Sequence, residues 1–537
     1  MNTSADLILF NGTIRTQDPL QPVAQAIAVS GSKILDIGRD EKILAHRDSS
    51  TKVIDLHNRI ALPGFIDTHF HFYEWAVNYD SIDFSKTTSF AMMQKQITDK
   101  ANHLGKNRWI LGQGFNESDW PENRLPDRFD LDKAAPDNPV CIWRCDLHMA
   151  VANTLGLQLA GIDRTTQNPK DGVIVKDPAG NPTGVLKELA PNLIREVVPP
   201  IDDTTLLANM VSAMKAAHRL GLTSIHDIRL MGGEEGKRAL QAWQHLRQED
   251  RLAIRCHVAL PGEMTDEAIA LGLTTGFGDD LLKIGHLKFF SDGGMGARTG
   301  WMLEPYLDAE KGMPLTSVAD IEHAVEKADR NGLSAMVHAI GDKANREIIQ
   351  MFKRIEKKSS GKCRIPHRIE HMQMVRPEDL QVLSNLKNVA VTCQPNNLSL
   401  DISMIDKCVG ERGKYTYPIK SIMNTGVPVM LGSDAPVADK NPLAGIYSAV
   451  ARRRMDFTPE KGWYMDEAIL LEEAVRGYTL IPAIGSGAGN SLGSLTSGKF
   501  ADIVVLDQDI FTLDKKLIPS ASVDMTIFNG KVVYDRR

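Results

Sequence analysis

The chain has 537 residues, which is too long for a single compact domain and favours two or three domains. Apolar residues make up 42% and charged residues 24%, as in ordinary soluble globular proteins, and the net charge of -6 argues against a nucleic-acid-binding surface. The sequence contains neither a basic cluster interleaved with aromatic residues nor an apolar run long enough to cross a bilayer, so we expect no nucleic-acid partner and no membrane association.

The N-terminal stretch lacks the basic start and long apolar core of a signal peptide. The six cysteines are sparse, and the nearest pair, Cys141 and Cys145, does not have the C-x-x-C spacing of a zinc ribbon or redox pair. These features predict reduced, buried thiols and a cytoplasmic protein.

Both ends of the chain have the alternating pattern of short strands. "DLILFNGTIRT" and "QAIAVSGSKILDIG" near the N-terminus predict hairpins around Asn-Gly and Gly-Ser turns, and "ADIVVLDQD" and "DMTIFNGKVVYD" have the same pattern near the C-terminus. Neither end can bury a sheet face alone. We therefore predict one small β-sandwich domain formed by residues 1–60 and 493–537.

The middle of the chain alternates strand-like apolar runs with helical patterns, which is typical of parallel strand pairing. Eight such strand candidates predict an α/β fold, namely a (β/α)8 TIM barrel formed by residues 61–492. The candidates lie at 61–71, 222–227, 253–260, 284–293, 333–342, 367–375, 389–395 and 427–436. The interval of about 73–200 is too long for a loop between strand and helix. We interpret it as an insertion after the first strand, lying over the mouth of the barrel.

The first barrel strand ends in the sequence His69-Phe70-His71. Side chains two apart on a strand point to the same side, and the C-terminal ends of barrel strands form the active-site face. An isolated pair of this kind is equally compatible with one surface and one hydrogen-bonded histidine. Further candidate strands, however, end in His338, His371 and Asp434, and the set as a whole favours a metal centre.

Lys288 lies inside an apolar strand, where an unpaired ammonium is costly. One alternative is an ion pair with Asp292 or Asp434. The other is reaction with CO2 to form a carbamate, an anion with two oxygens that bridges metal ions. The carbamate predicts two divalent ions, one held by His69, His71 and Asp434 and the other by His338 and His371, with Lys288 and a hydroxide between them.

The ordered motifs "FIDTHFH", "LKFFSDG", "VHAIGD", "IEHMQM" and "LGSDAPV" resemble the amidohydrolase superfamily, and specifically the amidohydrolase family 3 branch, which includes N-substituted formamide deformylase. The resemblance runs nearly end to end, from "NGTIRTQD" to "GSLTSGKFADIVVLD". It implies a metal-containing barrel with a two-part β-sandwich, and it implies metal binding by His69, His71, Lys288, His338, His371 and Asp434.

The predicted function is hydrolysis of a C–N amide bond of a small molecule, an N-substituted formamide or N-acyl compound, by attack of a metal-bound hydroxide. Asp434 is the expected catalytic base, and zinc is the expected metal. The alternatives are a deaminase acting on a ring amidine, a hydrolase of a cyclic amide, and a non-catalytic binding protein that kept the barrel.

Four residues are candidates for substrate contact, each with a structural alternative. Asp146 and His148 are expected at the pocket edge, unless they only hydrogen-bond within their loop. Trp120 is a candidate apolar wall, or packs inside the insertion. Arg298 is a candidate contact to a substrate carboxylate or carbonyl, or forms a salt bridge. A small-molecule substrate is the expected partner, and a homodimer is compatible with the sequence.

Overall fold

The computed structural model describes residues 4–145, 147–170, 172–231, 235–359 and 361–537. At its centre is one sheet of eight strands, all parallel, in which each strand pairs with its neighbour in the chain. The strands are Phe65–Phe70, Leu222–Asp227, Arg255–Pro261, Leu282–Phe290, Ala335–Ala339, His367–His371, Val389–Cys393 and Val429–Leu431.

The sheet closes between its first and last strands. The backbone N–H of Asp434 donates to the carbonyl of His69 at 2.7 Å, and the N–H of His71 donates to the carbonyl of Ala435 at 2.8 Å. Helices follow the strands, as in a (β/α)8 barrel, which confirms the predicted fold. The closure itself brings the ends of two predicted metal-binding strands together.

The helices surround the barrel with their apolar faces inward. In Asp342–Lys358 the buried positions, among them Ile348, Phe352 and Ile355, recur every three or four residues, and the helix begins with an acidic residue and ends with two lysines, matching its dipole. The other barrel helices are Asp203–His218, Glu235–Gln248, Thr265–Ala270, Val318–Arg330, Pro377–Leu383, Pro395–Val409, Ile419–Met423, Pro442–Ala451, Leu471–Gly477 and Leu480–Gly485.

Strands from both ends of the chain form two further sheets around a shared apolar core. In the second of these sheets, Ile60–Pro63 pairs with Ile503–Leu506 from the other end of the chain. The first sheet has the order Lys33–Gly38, Ala26–Ser30, Leu7–Phe10, Lys52–Asp55, with the short helix Asp40–Leu44 beside it, and the second has the order Lys531–Asp535, Val523–Phe528, Ile503–Leu506, Ile60–Pro63, Thr13–Arg15, Val23–Ala24.

Two details of these ends differ from the sequence-based expectation. Leu7–Phe10 and Thr13–Arg15 do not form a hairpin, because Leu7–Phe10 is already flanked on both sides within its own sheet and the chain crosses to the other sheet at Asn11. The predicted first barrel strand is divided at Gly64, where a β-carbon would lie 2.3 Å from the Thr223 hydroxyl. The barrel strand therefore begins at Phe65.

The segment between the first barrel strand and Asp203–His218 folds around a six-stranded sheet with apolar clusters of its own. An insertion was predicted here from the sequence, without an assignment of its secondary structure. Its strands, in sheet order, are Gly172–Lys176, Pro182–Glu188, Met149–Ala152, Val140–Arg144, Ile110–Phe115 and Ile82–Asp83, and its helices are Phe72–Val77, Phe90–Leu104, Arg128–Ala134, Thr154–Leu159 and Asn192–Arg195.

Within the described residues, no helix combines the length and apolar character needed to cross a membrane.

Candidate metal centre and substrate cavity

All six predicted metal ligands line one cavity at the C-terminal ends of the barrel strands. The cavity has a volume of about 120 Å³, and residues of the insertion form part of its wall. The six side chains come from strands one, four, five, six and eight, so residues up to 365 positions apart in the chain share one site: His69, His71, Lys288, His338, His371 and Asp434.

The first part of the site is a close triad. Asp434 Oδ1 lies 3.3 Å from His69 Nε2 and 3.2 Å from His71 Nε2. Ligand atoms around a tetrahedral zinc ion, each about 2.1 Å from the metal, are separated by about 3.4 Å. The two distances from Asp434 Oδ1 are therefore close to the separation of ligand atoms in a coordination shell.

The Nδ1 atom of three of the histidines contacts an oxygen acceptor. His69 Nδ1 contacts Glu370 Oε2, His71 Nδ1 lies 3.3 Å from the carbonyl of Ile228, and His338 Nδ1 lies 3.2 Å from Asp292 Oδ1. In the neutral rings, each Nδ1 therefore carries hydrogen and each Nε2 has the lone pair that coordinates a metal.

Two ligands lie just past regular strand geometry. His371 has a φ of 69° and Asp434 a φ of 62°, both in the left-handed region that non-glycine residues rarely adopt. Strain of this kind persists where the surrounding structure enforces it, often at functional sites. The turn places His371 Nδ1 4.0 Å from Asp434 Oδ2, and Asn397 Nδ2 donates to the same oxygen at 2.9 Å.

The electrostatics of the site favour the metal-binding protonation states. Burial lowers the pKa of His69, His338 and His371, which keeps these imidazoles neutral at pH 7. Burial also opposes ionisation of the Asp434 carboxyl, but the surrounding imidazoles outweigh this effect and hold its pKa well below the ordinary value. A neutral imidazole and an ionised carboxylate are the forms that bind a metal.

Lys288 is 2% exposed, and its Nζ has no hydrogen-bond partner within the described residues. Burial lowers the pKa of the amine from 10.5 to about 8, although the carboxylates of Glu370 and Asp434 oppose this shift. The alternative ion pair with Asp292 does not form: that carboxylate accepts backbone N–H groups of Trp301, Ile340 and Gly341 instead.

The residues present fit a divalent cation. Lys288 Nζ is a buried polar atom without a hydrogen-bond partner in the described chain, and Lys288 belongs to the cavity wall. Such atoms are rare in native proteins, because each costs about 1–3 kcal/mol. His69, His371 and Asp434 offer ligand atoms within 4.8 Å of one another, a cluster compact enough to hold metal.

The insertion contributes His148 to the cavity wall. Its Nδ1 lies 2.8 Å from Glu188 Oε2, and Glu188 Oε1 accepts the hydroxyl hydrogen of Thr299 at 2.6 Å. The ring lies against Gly294, where a β-carbon would come within 2.7 Å of it, and its centroid is 6.2 Å from that of His338. These contacts join the insertion to the loop after the fourth barrel strand.

The other substrate-contact candidates lie elsewhere. Trp120 is 3% exposed inside the insertion, where its Nε1 donates to the carbonyl of Thr87, so it supports the insertion core and does not line the cavity. Arg298 forms an ion pair with Asp308 at 2.7 Å and is likewise not part of the cavity wall. Asp146 lies outside the described residues.

Sequence reasoning missed four residues that hold the site together: Glu370, Asp292, Asn397 and Glu188. Glu370 carried a signal, because a carboxylate next to a predicted ligand in an apolar strand needs a buried partner as much as Lys288 does. Asp292 was considered only as an ion-pair partner of Lys288, and its contact with His338 was missed. Asn397 and Glu188 carried no such signal, since their neighbours in space are remote in the chain.

A second group of potential ligands, Asp329, Cys363 and His367, lies at the opposite end of the barrel. His367 Nδ1 accepts the backbone N–H of Ala335 at 3.0 Å, so Nε2 carries the hydrogen and faces Asp329 at 3.3 Å. With both ring nitrogens committed, this group is a structural hydrogen-bond network.

Comparison with known proteins agrees with this geometry. Residues 52–534 match the model of the amidohydrolase family. The chain is 31% identical to protein LONG AFTER FAR-RED 3 of Arabidopsis thaliana, over 99% of this chain and 92% of the relative, and 26% identical to N-substituted formamide deformylase of Arthrobacter pascens, over 100% and 99%. A crystal structure of an uncharacterized metal-dependent hydrolase from Pyrococcus horikoshii superimposes with a TM-score of 0.75 at 27% identity, covering 95% of this chain and 99% of that one. The chain belongs to the amidohydrolase family and is a metal-dependent hydrolase of carbon–nitrogen bonds.

Proposed function

We propose that this protein hydrolyses the amide C–N bond of a small N-substituted formamide or N-acyl compound, releasing a carboxylic acid and an amine. The convergence of six metal-compatible side chains on one cavity, with Lys288 Nζ lacking a hydrogen-bond partner in the described chain, carries the proposal. The full-length similarity to N-substituted formamide deformylase supports this substrate class. The cavity volume of about 120 Å³ also favours a small substrate, since drug-sized ligands occupy about 300–1,000 Å³.

We propose two divalent ions, zinc being the expected metal. His69, His71 and Asp434 would hold one, and His338 and His371 the other, with Lys288 between them as a carbamate. The amine condenses with CO2 and releases a proton, which replaces a buried cation with an anion. A pKa of about 8 supports this step, because the neutral amine is the form that reacts. When bound, such ions lower the pKa of water to near 7 and polarise a carbonyl oxygen.

The residues of the chain supply the proton transfers. Asp434 Oδ1 is directed at His69 and His71, while Asn397 holds Oδ2 with a 2.9 Å hydrogen bond. In this orientation the carboxylate takes a proton from the attacking water and passes it to the leaving nitrogen. The new C–O bond forms, the C–N bond breaks, and the nitrogen departs as a neutral amine.

His148 is the residue proposed to contact the substrate from the insertion. Glu188 fixes its Nδ1, so the remaining edge of the ring lies at the cavity wall near Gly294. Leu147, the residue before it, has a φ of 58° and Glu188 a φ of 52°, so the backbone is strained on both sides of this hydrogen bond.

Two measurements on purified protein test the proposal. Elemental analysis is expected to find close to two equivalents of zinc or a similar metal. A screen of the metal-loaded enzyme against N-alkyl formamides, N-acyl amino acids, cyclic amides and ring amidines is expected to show amine release from the first two classes only. Ammonia release from a ring amidine, with one metal and unmodified Lys288, would establish a deaminase instead.

A further inference from the structure

The two halves of the metal centre are supported by different buried carboxylates. Glu370 accepts the Nδ1 hydrogen of His69, and Asp292 accepts that of His338 at 3.2 Å. Both carboxylates are 0% exposed, and neither lines the cavity. They therefore act on the site through their histidines.

The charge of Glu370 is balanced by Arg368, two residues earlier on the same strand. The Arg368 Nε lies 2.8 Å from Glu370 Oε1, and its Nη2 donates to the carbonyl of Thr68, next to His69, at 2.6 Å. A buried ion pair is a weak source of stability, because desolvation offsets its attraction. Its presence in the barrel core is explained better by the position it imposes on His69.

Asp292 is held by backbone donors, and burial, which outweighs these hydrogen bonds, raises the pKa of its carboxyl to about 7. Its two oxygens accept the backbone N–H groups of Trp301, Ile340 and Gly341 at 2.8, 3.0 and 2.8 Å. These donors belong to the loop after strand four and the turn after strand five. Asp292 and Glu370 thus share no partner, and each is held by a separate part of the barrel.

We propose that Glu370 and Asp292 are positioning residues for different metal ions: Glu370 for the ion at His69, His71 and Asp434, and Asp292 for the ion at His338 and His371. The inference rests on the two-ion site of the proposed function. It predicts that each of the two carboxylates chiefly sets the affinity of one ion, while Lys288 contributes to both.

The experiment measures metal binding without substrate. Metal-free full-length protein is titrated with Zn²⁺ against a chromophoric chelator, which yields two dissociation constants. The double variant Arg368→Met/Glu370→Met removes both charges of the pair while keeping side-chain volume, and Asp292→Asn is the matched variant for the other half. Loss of such a carboxylate weakens metal binding about 10–100-fold.

Each variant is expected to weaken one constant by this factor and leave the other within about threefold, and the two variants are expected to affect different constants. The inference is overturned if both variants weaken the same constant, if both constants weaken together, or if neither changes. Glu370→Gln keeps the shape of the side chain, and it replaces the double variant in the titration if the double variant does not fold. The melting temperature of the metal-free proteins separates positioning from general destabilisation, which affects both constants.

The outcomes also separate this inference from the proposed function. If no amide is hydrolysed but the two constants change as expected, the substrate assignment fails and the positioning roles stand. Amide hydrolysis with unchanged constants overturns the positioning roles alone. A wild-type protein that binds a single ion overturns the role assigned to Asp292.

Discussion

Replacing Lys288 with methionine is expected to stabilise the metal-free protein and to weaken the metal-loaded one. Methionine has a similar volume and no charge, so it removes a buried amine that has no hydrogen-bond partner in the described chain. In the metal-loaded protein the same change removes the proposed bridging carbamate. We expect loss of one ion and of at least 100-fold in kcat, since the charge that holds both ions is gone.

The size of the stabilisation follows from the pKa of the amine. Burial lowers it from 10.5 to about 8, and each pKa unit corresponds to about 1.4 kcal/mol. At pH 7 the charged lysine therefore costs the folded, metal-free chain about 3 kcal/mol, which Lys288→Met recovers. For 537 residues this corresponds to a rise in melting temperature of about 3 °C.

The pH dependence has a definite sign. Because the pKa of Lys288 is lower in the folded chain, the unfolded chain binds more protons between pH 8 and pH 10.5, and wild-type stability relative to the variant rises with pH in this window. The advantage of the variant is therefore complete below about pH 7.5 and falls to less than about 1 kcal/mol at pH 10.

The assay is thermal or denaturant unfolding of chelator-treated wild type and variant in CO2-free buffer at pH 7 and pH 10. A metal-free variant that is less stable than wild type at pH 7 would refute the description of Lys288 as a buried, unpaired cation. A stabilisation that is the same at both pH values would show that it comes from packing and not from charge.

Further substitutions test the other roles. Asp434→Asn is expected to keep at least one ion but to lower kcat about 10²–10⁴-fold, and kcat near wild type in the metal-loaded variant would refute its role as base. His148→Ala is expected to raise KM about tenfold with metal content unchanged, and Gly294→Ala should do the same by displacing the ring, since the added carbon would lie 2.7 Å from it. Trp120→Phe is the control within the insertion. It loses one hydrogen bond, so the free energy of unfolding should fall by about 1 kcal/mol while KM stays constant. A raised KM would show that Trp120 does contact the substrate.

The barrel and the metal ligands were accessible to sequence reasoning because both follow from local patterns. A buried parallel strand is a short continuous apolar run, and a polar side chain at its end has few structural uses. His338, His371 and Asp434 each lie within three residues of the end of such a run, and all three line the cavity. The residues that hold them in place were less visible, because hydrogen-bond partners such as Glu370 and His69 are 301 positions apart.

The insertion was less predictable for a physical reason. Its strands pair within a mixed sheet, so the orientation of each side chain depends on partners that no local spacing defines. Trp120 packs against Phe90 and Phe115 while His148 reaches the cavity, a difference that depends on contacts remote in the chain. The division of the strand at Gly64 was hidden for a similar reason, since it follows from the close approach of Thr223.

The barrel and the insertion contribute different residues to the site, and this difference affects which substrate is accepted. All six proposed metal ligands and their supports Glu370, Asp292 and Asn397 belong to the barrel, so the chemistry does not depend on residues of the insertion. His148 and Glu188 come from the insertion and are fixed to the barrel through Thr299. Changes in the insertion should therefore alter which amide is accepted while leaving metal binding intact. A Glu188→Gln variant that lost metal would contradict this separation.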